Sequence, residues 1–190
     1  KSLDRPFQTP PEAVPSIPWA DRNAEAASEL VQGRRLAEAR HTYEEVLDAE
    51  PWHREALLGL ADLEFRRGLN STGLLYARRA LQLDAYDTEA NFLAGNLYLA
   101  AGKVLDAHEA FGWAARGMQY RSVSYQQLAK LEAVEGDWKE ATRYANMALD
   151  YDVYALPAYH ILAVSARAEG DSLRASNALE RIEEIDPMSH

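Results

Sequence analysis

Segments beginning at Ala20, Arg54, Thr88, Ser122 and Leu156 align with one another at a spacing of 34 residues and without a gap. A chain that repeats itself at that period folds as a stack of like units, each contacting its neighbours. The eighth residue of every segment is small: Ala27, Ala61, Gly95, Ala129 and Ala163. So is the twentieth: Ala39, Gly73, Ala107, Ala141 and Ala175. The fifteenth is Gly68, Gly102, Gly136 and Gly170 in the last four segments, whereas Gly33 falls one place early in the first. This pattern predicts two amphipathic helices per segment joined by a glycine turn, with the first turn one residue longer than the rest. Small residues allow the paired helices to approach closely, because the distance at a crossing depends on the side chains there. The glycines supply turn geometry that other residues adopt at a cost. Asp137 and Asp171 follow two of them and are placed to cap the next helix.

The stretch FLAGNLYLAAG, residues 92–102, passes without a charge. A membrane-spanning helix needs about 20 apolar residues, and Glu89 and Lys103 bracket a shorter run. Gly95 and Gly102 match neither phosphate-binding glycine pattern. Gly95 therefore reads as a packing glycine in the first helix of the middle repeat, a helix with neighbours on both sides.

The chain has 190 residues, 47% of them hydrophobic and 26% charged, with a net charge of −10. That acidity argues against nucleic-acid binding or attachment to anionic lipid, both of which need a basic surface. The pairs Arg34–Arg35, Arg66–Arg67 and Arg78–Arg79 lie among acids and read as solvated helix faces. With no cysteine, disulfides, thiolate catalysis and cysteine-type zinc sites are excluded within this chain. The compartment stays open, with the cytoplasm favoured. Five of the eight prolines fall between Pro6 and Pro18. Residues 1–19 are accordingly expected to form an extended linker or strap. A sequence that starts with Lys1 and shows no signal peptide reads as a fragment.

The segments resemble tetratricopeptide repeats in their length, in the small residues at the eighth and twentieth places, and in a small or apolar residue at the twenty-seventh, which is Val46, Ala80, Ala114, Ala148 and Ile182. The resemblance covers about residues 20–187. The usual proline near the repeat end is kept only as Pro51 and Pro187, and the usual first-helix tryptophan place holds Asn23, Leu57, Asn91, Tyr125 and Tyr159. The resemblance implies an all-α, right-handed α-solenoid of five helix-turn-helix repeats over residues 20–190. The wording of 78–98, RRALQLDAYDTEANFLAGNLY, is also similar to the repeat tail of large bacterial proteins that carry a domain like those of carbohydrate-active enzymes before the repeats.

No catalytic, cofactor or metal site is expected. The five histidines occupy different repeat places, whereas zinc needs three or four convergent ligands. Adjacent acids such as Glu44–Glu45 diverge on a helix and read as surface. The resemblance implies instead that the fifth, ninth and twelfth residues line a concave groove. These are Leu58, Asp62 and Phe65, then Phe92, Asn96 and Leu99, then Gln126 and Lys130, with His160 continuing the wall. Family members that clamp a terminal carboxylate carry Lys and Asn at the fifth and ninth places, where this chain has Leu58/Asp62 and Phe92/Asn96. Two readings remain for Phe65, Phe92 and Leu99: packing between repeats, or an apolar peptide groove.

The thirty-third place is aromatic in four segments: Trp52, Tyr86, Tyr120 and Tyr154. Such a residue could staple onto the side chain one turn inside the next helix, with Leu57, Tyr125 and Tyr159 as partners and Asn91 a poor match. Alternatively it forms an aromatic edge for a sugar or partner chain. The expected role is a non-catalytic scaffold for a peptide or partner domain, with no cofactor. The alternative is an accessory C-terminal module of a carbohydrate-active-enzyme-like protein, supporting its substrate site or assembly. In the last helix, Ala175, Ala178, Leu179 and Ile182 are expected to form the buried stripe. The other side would meet the rest of a larger parent chain or a second copy in a homodimer.

Overall fold

The computed structural model describes residues 18–188. Ten α-helices follow in order: α1 (Pro18–Gln32), α2 (Leu36–Ala49), α3 (Arg54–Arg66), α4 (Asn70–Leu83), α5 (Thr88–Ala100), α6 (Val104–Ala114), α7 (Arg121–Glu135), α8 (Trp138–Leu149), α9 (Leu156–Ala168) and α10 (Ser172–Ile185). No strand occurs among the described residues. Odd-numbered helices begin the repeats and even-numbered helices complete them. The chain divides into two compact units, one ending at Ala101 with α1–α5, the other beginning at Gly102 with α6–α10.

The expected strap lies outside the described residues except at its end, and there the expectation is corrected. Pro18 and Trp19 belong to α1. Proline is tolerated in the first turn of a helix, because the N–H it lacks would have had no intrahelical partner.

The turn of the first repeat also differs from expectation. It is not longer: Arg34 itself occupies the fifteenth place, with φ of 58°, beside values of 72–84° at Gly68, Gly102, Gly136 and Gly170. The backbone keeps its register and places a non-glycine residue in the left-handed region, at about 1–2 kcal/mol. Its neighbour Gly33 has no positive φ.

Close helix approach is visible at Gly73 on α4. A Cβ there would lie 2.8 Å from Leu97 Cδ2 and 3.0 Å from the Ala61 carbonyl oxygen. The twentieth place thus meets the backbone of the eighth, and a side chain would force the helices apart. Ala27, Ala39, Ala61, Ala107, Ala129 and Ala141 are wholly buried, and Gly95 is buried on α5. A second close contact was not legible: the Tyr43 ring of α2 lies where a Cβ on Gly59 of α3 would sit, at 2.3 Å.

The cores of the two units are built differently. In the first, Leu57, Leu58, Leu60 and Leu63 surround the buried alanines. In the second, one cluster consists of Ala129, Ala145, Ala148, Ala155 and Ala158, with half-buried Tyr125, Tyr144, Ile161 and Leu162 packed against it. Asp137 and Asp171 cap α8 and α10 as expected, each accepting from a backbone N–H at 3.0 Å. In α10 the buried stripe is Ala175, Ala178 and Ile182, while Leu179 is 43% exposed. The stripe advances by three and four residues, and Leu179 lies about 100° round the helix from Ala178, on the flank.

Three substitutions test this account in one melting series. Gly73→Val is expected to cost about 1–3 kcal/mol through overpacking. Gly112→Ala, on α6 with nothing within 4 Å of the added Cβ, is expected to gain about 0.5–1 kcal/mol from helix propensity. Arg34→Gly is expected to raise the midpoint, because relief of the left-handed backbone exceeds the entropy glycine adds to the unfolded chain. Equal midpoints for Gly73→Val and wild type would refute the crossing.

Candidate functional site

The first-helix faces are set by polar ties at the repeat junctions. In the first unit, Arg54 at the start of α3 reaches the start of α5. Its Nε donates to Asp87 Oδ2 at 2.5 Å, and its Nη2 donates to Asp87 Oδ1 and Glu89 Oε2, each at 3.0 Å. Asp87 Oδ1 also caps α5, accepting from the Glu89 and Ala90 N–H groups at 3.0 Å. Burial pushes the Asp87 carboxyl upward, but the Arg54 guanidinium and the two N–H donors outweigh it and hold the pKa below its ordinary value. Behind this, Glu64 of α3 is fully buried between Arg40 Nε of α2 at 2.9 Å and Arg67 Nη1 at 2.8 Å.

The loops between repeats are tied by a device the sequence reading missed. Asn91, judged a poor staple partner, donates its Nδ2 to the Ala85 carbonyl at 3.0 Å. One repeat pair later Tyr159 occupies the same place and donates its hydroxyl to the Val153 carbonyl at 3.2 Å. In both cases the fourth residue of a repeat holds the carbonyl three residues before that repeat begins. The carboxylates of Asp84 and Asp152 accept from the N–H groups of Tyr86 and Tyr154, at 2.8 and 3.0 Å. The staple does not form at these tyrosines, which are 65% and 70% exposed. Trp52 is half-buried, with the Arg79 guanidinium 5.4 Å from its ring centre, and Tyr120 is half-buried as well. The recurring Asp-x-Tyr spacing was the available signal for this turn.

On the first-helix faces of the first unit, Phe65 of α3 and Phe92 and Leu99 of α5 are half-buried. Leu58 is buried in the core cluster and offers no surface. Asp62 pairs with Arg66 Nε at 2.7 Å. Asn96 donates its Nδ2 to the Phe92 carbonyl at 3.1 Å, which leaves its Oδ1 to accept. In the second unit, Gln126 of α7 donates to Ser122 Oγ at 3.2 Å, and that hydroxyl donates to the Ala148 carbonyl at 3.0 Å. Lys130 of α7 and His160 of α9 are exposed.

The second unit also holds an aromatic column. Tyr125 lies between Tyr144 and Tyr151, with ring centres at 6.1 and 6.3 Å. Arg143 covers the Tyr144 ring at 4.0 Å, and Arg121 covers the Tyr151 ring at 4.8 Å. Each such cation–ring contact contributes about 0.5–1 kcal/mol at partly exposed sites. Among the described residues no group of three or more His, Asp or Glu side chains is placed to hold a metal ion. No described helix is long and apolar enough to cross a membrane.

Ten helices among the described residues, with α1 packed on α2, α3 on α4, α7 on α8 and α9 on α10, define an all-α helical-repeat protein. More specifically, the chain has the tetratricopeptide-repeat fold. It is similar to PilW, a widely conserved type IV pilus biogenesis factor, at TM-score 0.81 and 18% identity, over 92% of this chain and 80% of that one. It is similar to MamA from Desulfovibrio magneticus RS-1 at TM-score 0.78 and 13% identity, over 92% of this chain and 98% of that one. A third similar structure is YrrB, described as a tetratricopeptide-repeat protein with an unusual peptide-binding site, at TM-score 0.72 and 16% identity, over 90% of this chain and 88% of that one. No protein-family model and no curated protein matches the chain.

The Arg54–Asp87 tie predicts a pH dependence. Asp87→Asn keeps a helix cap and removes the charge, at an expected cost of about 1–2 kcal/mol near neutral pH. A carboxyl whose folded pKa is lowered contributes stability that is present above its unfolded value of about 4 and is lost as pH falls through the folded value. The stability gap between wild type and variant should therefore close below about pH 4. Denaturant melts at several pH values check this; a gap of constant size would remove the ion pair from the account.

Proposed function

We infer that this chain is a non-catalytic interaction module that holds a peptide or partner domain on the faces of its first helices. One observation carries the reading. Phe65, Phe92 and Leu99 are half-buried on α3 and α5, and Asn96 beside them keeps its Oδ1 available to accept. Partly exposed apolar side chains with a few placed polar groups are what a peptide-binding surface needs. Lys130 and His160 supply the corresponding polar groups on α7 and α9. YrrB, which shares the fold, is described as binding a peptide. The surface is pre-formed, because the junction ties fix the first helices before any partner arrives, and pre-organisation lowers the ordering cost of binding.

The test begins with a peptide selected from a displayed library on the wild-type protein. Phe92→Ala with Asn96→Ala is expected to weaken its binding at least about tenfold, the effect of about 1.4 kcal/mol, with far-UV circular dichroism retained. Lys130→Glu reads the second unit separately. Wild-type affinity in both would move the site to Tyr86 and Tyr154.

A second reading rests on α10, where Leu173 is 72% exposed and Leu179 43% exposed. These two side chains suit a cover supplied by the rest of a larger parent chain, as an accessory module requires, or by a second copy. Light scattering over a range of concentrations separates the two. A dimer abolished by Leu173→Glu with Leu179→Glu supports the copy, and a monomer throughout removes it.

A further inference from the structure

The second unit contains an open groove that the first-helix reading does not use. It lies where α8 and α10 flank α9 and has a volume of about 310 Å³. Ala178 and Leu162 contribute an apolar floor, and Tyr159 forms one side. Asn146 of α8 stands at one rim, with Arg174, Asn177 and Arg181 of α10 at the other. Neither Asn146 nor Asn177 has a side-chain hydrogen bond within the described residues, and both are exposed.

The spacing on α10 carries the inference. Arg174 and Arg181 are seven residues apart and share one face, with Asn177 between them. Seven residues of helix rise about 10.5 Å. Three residues of a polyproline II chain advance about 9 Å and complete one turn, so side chains three places apart share a face. Two acidic side chains at that spacing on an extended segment of this kind therefore match the two guanidinium groups. The Asn146 and Asn177 amides each offer a donor and an acceptor, which is what the backbone of an extended segment lacks partners for. Guanidinium groups favour carboxylates through paired, charge-assisted hydrogen bonds.

We propose that this groove binds an extended acidic segment of a partner protein, its backbone on Asn146 and Asn177 and its carboxylates on Arg174 and Arg181. The arginines already have acidic neighbours: Glu169 at 3.1 Å and Asp171 at 3.9 Å from Arg174, and Glu184 in contact with Arg181. These pairs are solvent-exposed and therefore weak, so an incoming carboxylate exchanges with them at little cost. The Tyr159 ring, 6.0 Å from the Arg181 guanidinium, holds that side chain over the groove.

The probe is an acetylated hexapeptide amide, alanine throughout except for aspartate at its second and fifth places. Nuclear magnetic resonance follows the side-chain amide signals of Asn146 and Asn177 in the whole chain, and calorimetry gives the affinity. Both amide signals are expected to shift. Binding is expected to weaken at least about tenfold with Arg174→Gln plus Arg181→Gln, or with asparagine in place of both aspartates. Asparagine peptide binding equally well would overturn the proposal, as would unmoved amide signals on a protein that leaves the probe unbound. Glutarate binding as tightly as the peptide would show a free-anion site instead. Shifts confined to α7 and α9 would return the segment to the first-helix face and overturn this groove while leaving the interaction-module reading intact.

Discussion

Everything else in the fold depends on how closely two helices of a repeat can approach. At Gly73 the limit is set by the Ala61 carbonyl oxygen, which would stand 3.0 Å from any added Cβ. Two helices at that distance exclude water along their seam and leave little choice of crossing angle, because small residues remove the ridges that would hold them apart. Repetition of the small pair at the same two places gives each unit one geometry, and this sets where the other side chains emerge. Phe92 and Asn96 stand on an accessible face of α5 because Gly95 and Ala90 are turned inward.

Close approach also concentrates backbone polarity, and the junctions show how it is satisfied. Asn91 and Tyr159, different in size and chemistry, both donate to the carbonyl three residues before their repeat. At these two junctions the loop carbonyl is satisfied by the helix behind it, and Tyr86 and Tyr154 stand outward. Arg54 and Asp87 serve the same end with charge. Removal of one member of such a pair strands the other, and the cost is largest where the stranded group is buried. Glu64, buried between Arg40 and Arg67, is under the same constraint.

The repeat register, the helix pairs, the small contacts and the aspartate caps were legible, because each is a residue type at a fixed period. What escaped has a physical cause in each case. Arg34 was misread because backbone conformation follows the stack more strictly than glycine does. Leu179 was misplaced because a stripe of three- and four-residue steps narrows to one line at a terminal helix. Leu58 lies at a groove place by resemblance, yet it is buried in the core cluster, whereas Phe92 at the same place of the next repeat is half-buried. The tyrosine column and the groove beside α10 join residues from separate helices at no shared period, so no spacing announced them. The division after Ala101, inside the third repeat, is likewise a property of contact density and leaves no mark on a 34-residue period.

The two units answer the same architectural demand with different materials. Leucines fill the space around the small residues in the first. In the second, alanines line one seam, Phe111, Leu128 and Leu131 are buried, and tyrosines stack at the margin with arginines at both ends of the column. That choice leaves weak points. Ser124 is fully buried where the second, third and fifth repeats have alanine, and Ser165 is fully buried where the three preceding repeats have leucine. Neither hydroxyl has a partner among the described groups, and a buried polar group left unpaired costs about 1–3 kcal/mol. In the second unit the tyrosine and arginine contacts at the margin offset part of that cost. Its margin is also where the exposed tyrosines, the arginines and the α8–α10 groove lie. In this half of the chain, the side chains that hold the helices together are therefore close to those offered to a partner, and occupancy of one should stiffen the other.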